Sequence, residues 1–97
     1  MTARYRLSPA AQSDLDEIWD YSAEHWGADQ EDGYIRDLAG AIERIASGKR
    51  RGHSCDEIRL GYFKYACQSH VIFYKLEESA IVVVRVLHRR MDFNRRL

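Results

Sequence analysis

The chain has 97 residues, of which 45% are hydrophobic and 31% are charged, and its formal net charge is zero. This size and composition predict one globular domain, residues 1–97, and exclude a disordered chain. No apolar run approaches the roughly 20 residues that span a bilayer, and we expect no signal peptide. Because two cysteines are too few for a disulfide framework, we expect a cytoplasmic protein that does not contact a membrane.

The charged residues are divided unequally along the chain. Residues 1–47 contain ten acidic and four basic residues, a net charge of −6. Residues 48–97 contain five acidic and eleven basic residues, a net charge of +6. Such an asymmetry indicates an acidic or nucleic-acid partner for the second half. The alternative is ordinary solvated charge, and we interpret the run Lys49–Arg51 in that way.

A short strand and a helix are predicted at the start of the chain. Tyr5 to Leu7 alternate as in a strand. Ser8 and Pro9 suit the N-cap and the first position of a helix, because serine accepts from free amides and proline has none to lose. Apolar residues then recur at steps of three and four, so this helix buries one stripe, and Gly27 ends it.

A second amphipathic helix is predicted from about Asp29 to Gly48. Its apolar stripe consists of Tyr34, Ile35, Leu38, Ala41, Ile42 and Ile45. Because only a couple of residues join it to the first helix, the two must fold back on each other as a hairpin.

The periodicity changes after Gly48 from helical to strand-like. We interpret residues 48–56 as a loop. Three segments rich in β-branched and aromatic residues follow as strands: Tyr62–Cys67, His70–Leu76 and Ala80–Leu87. Short links between successive strands imply an antiparallel meander. The predicted architecture is α+β with the order β-α-α-β-β-β, in which an N-terminal helical hairpin packs on a curved antiparallel sheet.

The last two strands carry apolar residues on both faces. Because alternate residues of a strand point to opposite faces, each strand divides into two sets. In the strand His70–Leu76, one face carries Ile72, Tyr74 and Leu76 and the other carries Val71, Phe73 and Lys75. In the last strand, one face carries Ile81, Val83, Arg85 and Leu87 and the other carries Val82, Val84 and Val86. The hairpin can cover only one face, so we expect the other face to bind a partner. The alternatives are cover by the C-terminal tail and a contact between copies of the chain.

Several motifs resemble, in their order along the chain, those of a known family. They are Leu7-Ser8-Pro9-Ala10-Ala11, Asp14-Leu15-Asp16-Glu17-Ile18-Trp19-Asp20-Tyr21, Trp26-Gly27, Asp56-Glu57-Ile58-Arg59-Leu60-Gly61-Tyr62, His70-Val71-Ile72-Phe73-Tyr74 and Val84-Arg85-Val86-Leu87-His88-Arg89-Arg90-Met91-Asp92. Together they resemble the ParE branch of the RelE/ParE superfamily of type II toxin–antitoxin toxins. The resemblance covers nearly the whole chain.

This resemblance implies a toxin that inhibits DNA gyrase, blocks replication and is neutralised by a cognate ParD-like antitoxin. Such antitoxins carry an N-terminal DNA-binding domain and a C-terminal segment that wraps the toxin. The chain would therefore reach operator DNA only through the antitoxin, in a toxin–antitoxin hetero-oligomer. The wrapping segment is a candidate cover for the second apolar face. We expect antitoxin contacts at Trp19, Trp26 and Tyr74, with core packing as the alternative for the two tryptophans.

The basic C-terminal end is the expected target-facing surface. On the resemblance and the charge asymmetry, the predicted target-binding residues are Arg85, His88, Arg89, Arg90, Arg95 and Arg96. Two structural alternatives remain open. Arg85 pairs with Asp56 or Glu57 in an ion pair, or His88 merely caps the end of its strand.

RelE-like relatives suggest an alternative function, ribosome-dependent mRNA cleavage. In-line attack by a 2′-hydroxyl needs a base, an acid and cations around the phosphate. His88 is the near-neutral group available, and Arg59, Lys64 and Arg85 supply positive charge. Because no second acid–base group is evident, we expect the chain to act by binding rather than by catalysis.

No cofactor or metal site is expected. The potential zinc ligands His53, Cys55, Cys67 and His70 do not have the spacing of a standard zinc knuckle. We interpret Cys67 as a small buried hydrophobic residue. The sequence also lacks a Gly-rich phosphate loop and a Ser-His-Asp order.

Overall fold

The computed structural model describes residues 4–26 and 28–97, without the side chains of residues 22, 23 and 25–32. In this part of the chain the elements are β1 (Tyr5–Leu7), α1 (Pro9–Trp26), α2 (Ala28–Ala46), β2 (His53–Ser54), β3 (Tyr62–Cys67), β4 (His70–Leu76), β5 (Ile81–His88) and α3 (Phe93–Arg96). The predicted α+β class and the order of the main elements are confirmed, with β2 and α3 as additions. None of the described helices is long and apolar enough to cross a membrane.

Ser8 begins α1, as its position before Pro9 predicts. Its hydroxyl accepts a hydrogen bond from the Ala11 amide at 3.0 Å, which is the geometry of an N-cap. The same hydroxyl donates to the Val84 carbonyl at 2.7 Å and so ties the start of the helix to β5. After α2 the chain turns at Gly48, whose φ of +83° favours glycine. The predicted stop at Gly27 lies outside the described residues.

The sheet has five strands in the order β1-β5-β4-β3-β2. The meander β3-β4-β5 is antiparallel, as predicted, and β2 adds an antiparallel edge within the segment predicted as a loop. However, β1 pairs with β5 in parallel, so the prediction of an antiparallel sheet is wrong for this pair. Short turns dictate strand direction only between neighbours in sequence, and no such turn joins β1 to β5.

A β-bulge interrupts the pairing of β4 with β5. Tyr74 pairs with Val83 and Phe73 pairs with Arg85, so Val84 is an extra residue on β5. Beyond this point the alternation of β5 is reversed. Val86 packs in the cluster under the helices and Leu87 packs in the other, which corrects the parity predicted for the second half of β5.

Two apolar clusters lie on opposite faces of the sheet. The larger one packs the hairpin against the sheet and contains Ala11, Ile18, Tyr34, Leu38, Ala41, Ile42, Ile45, Ile72, Tyr74, Ile81, Val83 and Val86. The smaller one, here called the second cluster, contains the buried residues Cys55, Val71, Phe73 and Leu87.

The second cluster is covered by the chain itself. Ile58, Tyr62 and Val84 pack against it, together with Phe93 and Leu97 of the C-terminal segment. The alternative, cover by the C-terminal tail, is confirmed for this cluster, and an antitoxin contact on the same face stays a prediction. Burial of these apolar side chains removes them from water without a partner.

Candidate functional site

Arg85 is bound to a carboxylate on the helical hairpin. Its Nε and Nη2 each donate to Asp14 at 2.8 Å, and the Val86 amide donates to the same carboxylate at 2.9 Å. These hydrogen bonds from Arg85 to Asp14 raise the pKa of the guanidinium. The predicted alternative partners, Asp56 and Glu57, are wrong because Asp14 of α1 accepts from both the Arg85 guanidinium and the neighbouring Val86 amide.

Two arginines donate hydrogen bonds to the last two backbone carbonyls of the C-terminal segment. Arg85 Nη1 donates to the Arg96 carbonyl at 3.0 Å, and Arg59 Nη2 donates to the Leu97 carbonyl at 2.6 Å. On the other side, the Phe93 ring meets the buried Phe73 ring edge to face, with centroids 4.8 Å apart. Arg59 and Arg85 therefore position α3 on the second cluster, and they are not free cations.

The other basic residues of this end are exposed. Arg89 and Arg90 follow β5 in a turn that the Arg89 amide anchors to the Ser69 carbonyl at 3.0 Å. Arg95 and Arg96 lie on α3, where Arg95 is 3.6 Å from Asp92 in an exposed ion pair. These four arginines, which we call the C-terminal cationic surface, are presented to solvent by an anchored backbone.

His88 lines a cavity of about 520 Å³ between the helical hairpin and the end of the sheet. The His88 Nδ1 accepts a hydrogen bond from the Arg90 amide at 3.2 Å. In the neutral ring this bond leaves the proton on Nε2. Tyr21 and Met91 line the same cavity and are 57% and 40% exposed, so the cavity opens to solvent along an apolar rim.

A second imidazole, His70, lies beside His88 in this cavity. The two ring centroids are 5.3 Å apart, and His70 Nδ1 shares a hydrogen bond of 2.5 Å with the Tyr34 hydroxyl. Burial, and to a smaller extent the neighbouring His88, lowers the pKa of His70 to about 4, against the opposing effect of Asp14. Burial also raises the pKa of Tyr34. His70 is therefore a neutral imidazole at physiological pH.

Sequence reasoning missed this histidine pair for an identifiable reason. Counting outward from the β4-β5 turn, in which Leu76 pairs with Ile81, an unbroken ladder places His70 opposite Leu87. The bulge at Val84 shifts the register by one residue and brings His70 opposite His88. Only knowledge of the bulge could have revealed the pair.

The four residues predicted for a nuclease site do not come together. Lys64, Phe73 and Arg85 are paired across β3, β4 and β5, so they share the sheet face of the second cluster. His88 and His70 share the opposite face with Val86 of the larger cluster. His88 and Lys64 therefore lie on opposite faces of the sheet, while the Arg85 guanidinium binds Asp14, which lines the cavity of His88.

The residues predicted to bind an antitoxin have different environments. Trp19 is 41% exposed on α1 and is accessible to a partner. The side chain of Trp26 lies outside the described residues. Tyr74 is only 2% exposed, and its hydroxyl accepts from the Gly52 amide at 2.7 Å. Tyr74 is a core residue that a partner cannot reach, so its assignment to an antitoxin contact is wrong.

The potential metal ligands are dispersed. Among residues 4–26 and 28–97, no three His, Cys, Asp or Glu side chains cluster as a metal ion requires. Cys55 is fully buried in the second cluster and Cys67 is partly buried against the larger one. Burial raises the pKa of both thiols, which suits packing rather than metal binding.

Comparison with known proteins identifies the family. Residues 5–93 match the model of the ParE toxin of the type II toxin–antitoxin system parDE. The chain is 53% identical to Toxin ParE1 of Mycobacterium tuberculosis (strain ATCC 25618 / H37Rv) over 100% of both chains. It is 42% identical to Toxin ParE1 of Caulobacter vibrioides, with 91% of each chain covered. It is 36% identical to Toxin ParE of Escherichia coli, covering 94% of that protein.

Solved structures show the same fold. A chain of the chromosomal ParDE system from P. aeruginosa superposes with a TM-score of 0.76 at 13% identity, covering 90% of this chain and 96% of that one. A chain of the RelBE2 toxin–antitoxin complex from Mycobacterium tuberculosis has a TM-score of 0.59 at 16% identity, with 92% and 100% covered. The chain belongs to the ParE toxin family of type II toxin–antitoxin systems.

Proposed function

We propose that this chain inhibits DNA gyrase by binding it, blocks replication, and is neutralised by a cognate ParD-like antitoxin. The observation that carries the proposal is the C-terminal cationic surface. Its four arginines are exposed, while the backbone beneath them is held by Arg59, Arg85 and the Phe93–Phe73 contact. A preorganised charged surface loses little conformational entropy on binding, so it suits a tight protein complex. Both partners would be met in the cytoplasm.

The geometry narrows the set of residues proposed to contact gyrase. Arg89, Arg90, Arg95 and Arg96 are the contacting residues, and His88 lies at their base in the cavity wall. Arg85 is proposed as a positioning residue, because the hydrogen bonds of its guanidinium in the described structure go to Asp14 and to the Arg96 carbonyl.

A supercoiling assay with purified gyrase tests this proposal. The double variants R89Q/R90Q and R95Q/R96Q should each raise the concentration needed for half-inhibition at least about tenfold, about 1.4 kcal/mol of binding free energy. The control R4Q/R36Q removes two positive charges from exposed positions elsewhere and should inhibit like the parent. Absence of inhibition by the parent chain at large excess would refute gyrase as the target.

The proposed antitoxin contact centres on the exposed face of α1. Trp19 is 41% exposed there, whereas Tyr21, two positions further along, points to another side of the helix at the rim of the cavity. Large aromatic side chains of this kind commonly anchor protein interfaces. Trp26 remains a proposed member of this surface. Since the related complexes are named ParDE and RelBE2, we expect a hetero-oligomer that reaches operator DNA through the antitoxin.

Calorimetric titration of the chain with the antitoxin encoded beside it measures this contact. Trp19→Ala should weaken binding by about 2 kcal/mol or more, as expected for an interface anchor. Leu60→Ala removes an apolar side chain that is 86% exposed at a distant position, and it should bind like the parent. If the parent, Trp19→Ala and Leu60→Ala bound the antitoxin with equal affinity, Trp19 would not belong to the interface.

The histidine pair favours a second candidate function, ribosome-dependent mRNA cleavage. His70 supplies the second acid–base group that the sequence did not reveal, next to His88 and the Tyr34 hydroxyl. A neutral imidazole can accept the 2′-hydroxyl proton while its neighbour protonates the leaving oxygen. Primer extension on messages from translating ribosomes tests this function. Cleavage that His88→Ala and His70→Ala both abolish would support it, and no cleavage by the parent would exclude it.

A further inference from the structure

A second cavity, of about 310 Å³, lies at the opposite end of the sheet from His88. Ile45, Phe63 and Leu76 provide its apolar walls, and Arg50 and Arg51 stand at its edge. β4 begins at His70, which pairs with His88, and ends at Leu76, which lines the second cavity. The two cavities therefore lie at opposite ends of β4.

The loop that carries the two arginines is held rigidly. The Gly52 amide donates to the buried Tyr74 hydroxyl at 2.7 Å, and the Arg50 amide donates to the Arg44 carbonyl at 3.1 Å. Gly52 lies so close to β3 that an added Cβ would stand 2.5 Å from the Lys64 carbonyl oxygen. The backbone around Arg50 and Arg51 is thus fixed before any ligand binds.

Both guanidinium groups are available to an anion. Arg50 and Arg51 are exposed, and neither forms a salt bridge or a side-chain hydrogen bond within residues 4–26 and 28–97. Arg44 and Lys49 add positive charge in an adjoining depression, where Glu43 is the one acidic lining residue. Paired guanidinium groups favour oxyanions such as phosphate, because each planar guanidinium can donate two parallel hydrogen bonds to two oxygens of the anion.

The apolar part of the cavity adds a stacking surface. Phe63 is half-buried and lines the cavity, and its ring lies at 20° to the Tyr74 ring with centroids 5.5 Å apart. Its orientation is therefore set by the core. A volume of about 310 Å³ is at the small end of ligand pockets, which run from about 300 to 1,000 Å³. It has room for one flat ring rather than for a folded chain.

We infer that this cavity binds single-stranded nucleic acid, with phosphates on Arg50 and Arg51 and one base against Phe63. An aromatic ring beside free arginines is the combination that recognises unpaired nucleotides, because every base has a face that stacks. In a duplex the bases are already stacked inside the helix and cannot enter the cavity without flipping out. An acidic peptide would use the arginines but would leave the aromatic wall without a planar partner.

Fluorescence anisotropy of the purified chain with labelled oligothymidylate of about 12 nucleotides tests the inference. R50Q/R51Q should weaken binding at least about tenfold and lower the slope of log affinity against log salt by about 1.4, since each phosphate contact contributes about 0.7. The control R4Q/R36Q removes the same charge from other exposed positions and should bind like the parent.

Phe63→Leu tests the stacking contact separately. It should weaken oligothymidylate binding by roughly tenfold. Because Phe63 also packs against the core, an abasic strand of equal length provides a readout that needs no folded variant. The parent should bind the abasic strand more weakly than oligothymidylate. A duplex of the same length should compete poorly with oligothymidylate for the chain.

Three results would each overturn the inference. They are equal binding by the parent and R50Q/R51Q, equal binding of abasic and base-carrying strands, and equal or tighter binding of an oligoglutamate peptide. The first would show that the cavity is not the site. Equal binding of abasic and base-carrying strands would show that the cavity recognises phosphates alone. Equal or tighter binding of oligoglutamate would show that it binds anions in general.

Discussion

The Asp14 carboxylate on α1 and the Arg85 guanidinium on β5 form a two-pronged ion pair between residues 71 positions apart in the chain. Their side chains are 9% and 24% exposed, so the pair is largely removed from water. The same carboxylate also satisfies the Val86 amide at 2.9 Å, next to the bulge. Asp14 therefore joins the helical hairpin, the irregular part of β5 and, through Arg85, the C-terminal segment.

Asp14→Ala should lower the free energy of unfolding by about 3–5 kcal/mol, because it leaves a partly buried guanidinium and a buried amide without their acceptor. Urea denaturation at neutral pH measures the loss. Asp16→Ala, on the exposed side of the same helix, should change stability by less than about 0.5 kcal/mol. Similar losses for the two variants would contradict a special role for Asp14.

Arg59→Met should loosen α3 without unfolding the protein. It removes the 2.6 Å hydrogen bond to the Leu97 carbonyl, which belongs to an exposed contact worth about 1 kcal/mol. Hydrogen exchange of the Leu97 amide, which donates to the Phe93 carbonyl at 3.0 Å, should accelerate about fivefold. Arg95→Met keeps this hydrogen bond and serves as the control. If Arg59→Met left exchange unchanged, Arg59 would not hold the segment.

Substitution of Gly52 and of Gly33 by alanine should change the free energy of unfolding in opposite directions. At Gly52 the new Cβ would meet the Lys64 carbonyl oxygen at 2.5 Å and the Tyr74 hydroxyl at 2.8 Å, so the loop must move and its buried hydrogen bond is lost. We expect a loss of about 2–4 kcal/mol. At Gly33, within α2, nothing lies within 4 Å, and alanine should add about 0.5–1 kcal/mol. Thermal unfolding followed by circular dichroism distinguishes the two signs.

Acid should destabilise the fold through His70. The pKa of His70 is about 4 in the folded chain and 6.5 for a histidine in water, so the unfolded chain binds more protons between these pH values. The contribution of His70 is fully present above about pH 6.5 and is lost as the pH falls towards 4, by at most about 3 kcal/mol.

His70→Gln isolates this effect from the titration of carboxylates. Stability is measured by urea denaturation at several pH values between 4 and 7.5. The parent should lose more stability than the variant over this range, because protonated His70 would lie buried beside His88, a cost that Asp14 offsets only in part. Parallel curves for the two proteins would show that His70 titrates normally.

Local signals in the sequence were sufficient for the elements. Ser8 and Pro9 predict the start of α1, Gly48 predicts the end of α2, and β-branched runs predict three of the strands. Capping, glycine conformation and alternation depend on residues within one or two turns of each other, so a single sequence contains them. The same ordered motifs predicted the ParE family, which the comparisons confirm.

The candidate site depended on relationships that no local pattern contains. The bulge at Val84 decides which histidine meets His88, and the parallel pairing of β1 leaves the edge of β5 open to Asp14. The acceptor of Arg85 is Asp14, 71 positions away in the acidic half of the chain, and not the predicted Asp56 or Glu57.

The sequence by itself determined the fold class, the order of the elements, the family and the exposed basic end. Long-range contacts place Phe93 and Leu97 over the second apolar face and direct Arg59 and Arg85 to carbonyls of the C-terminal segment. The physical reason is that periodicity reports which side chains must leave water. Strand register and chain closure decide which partner each of them meets.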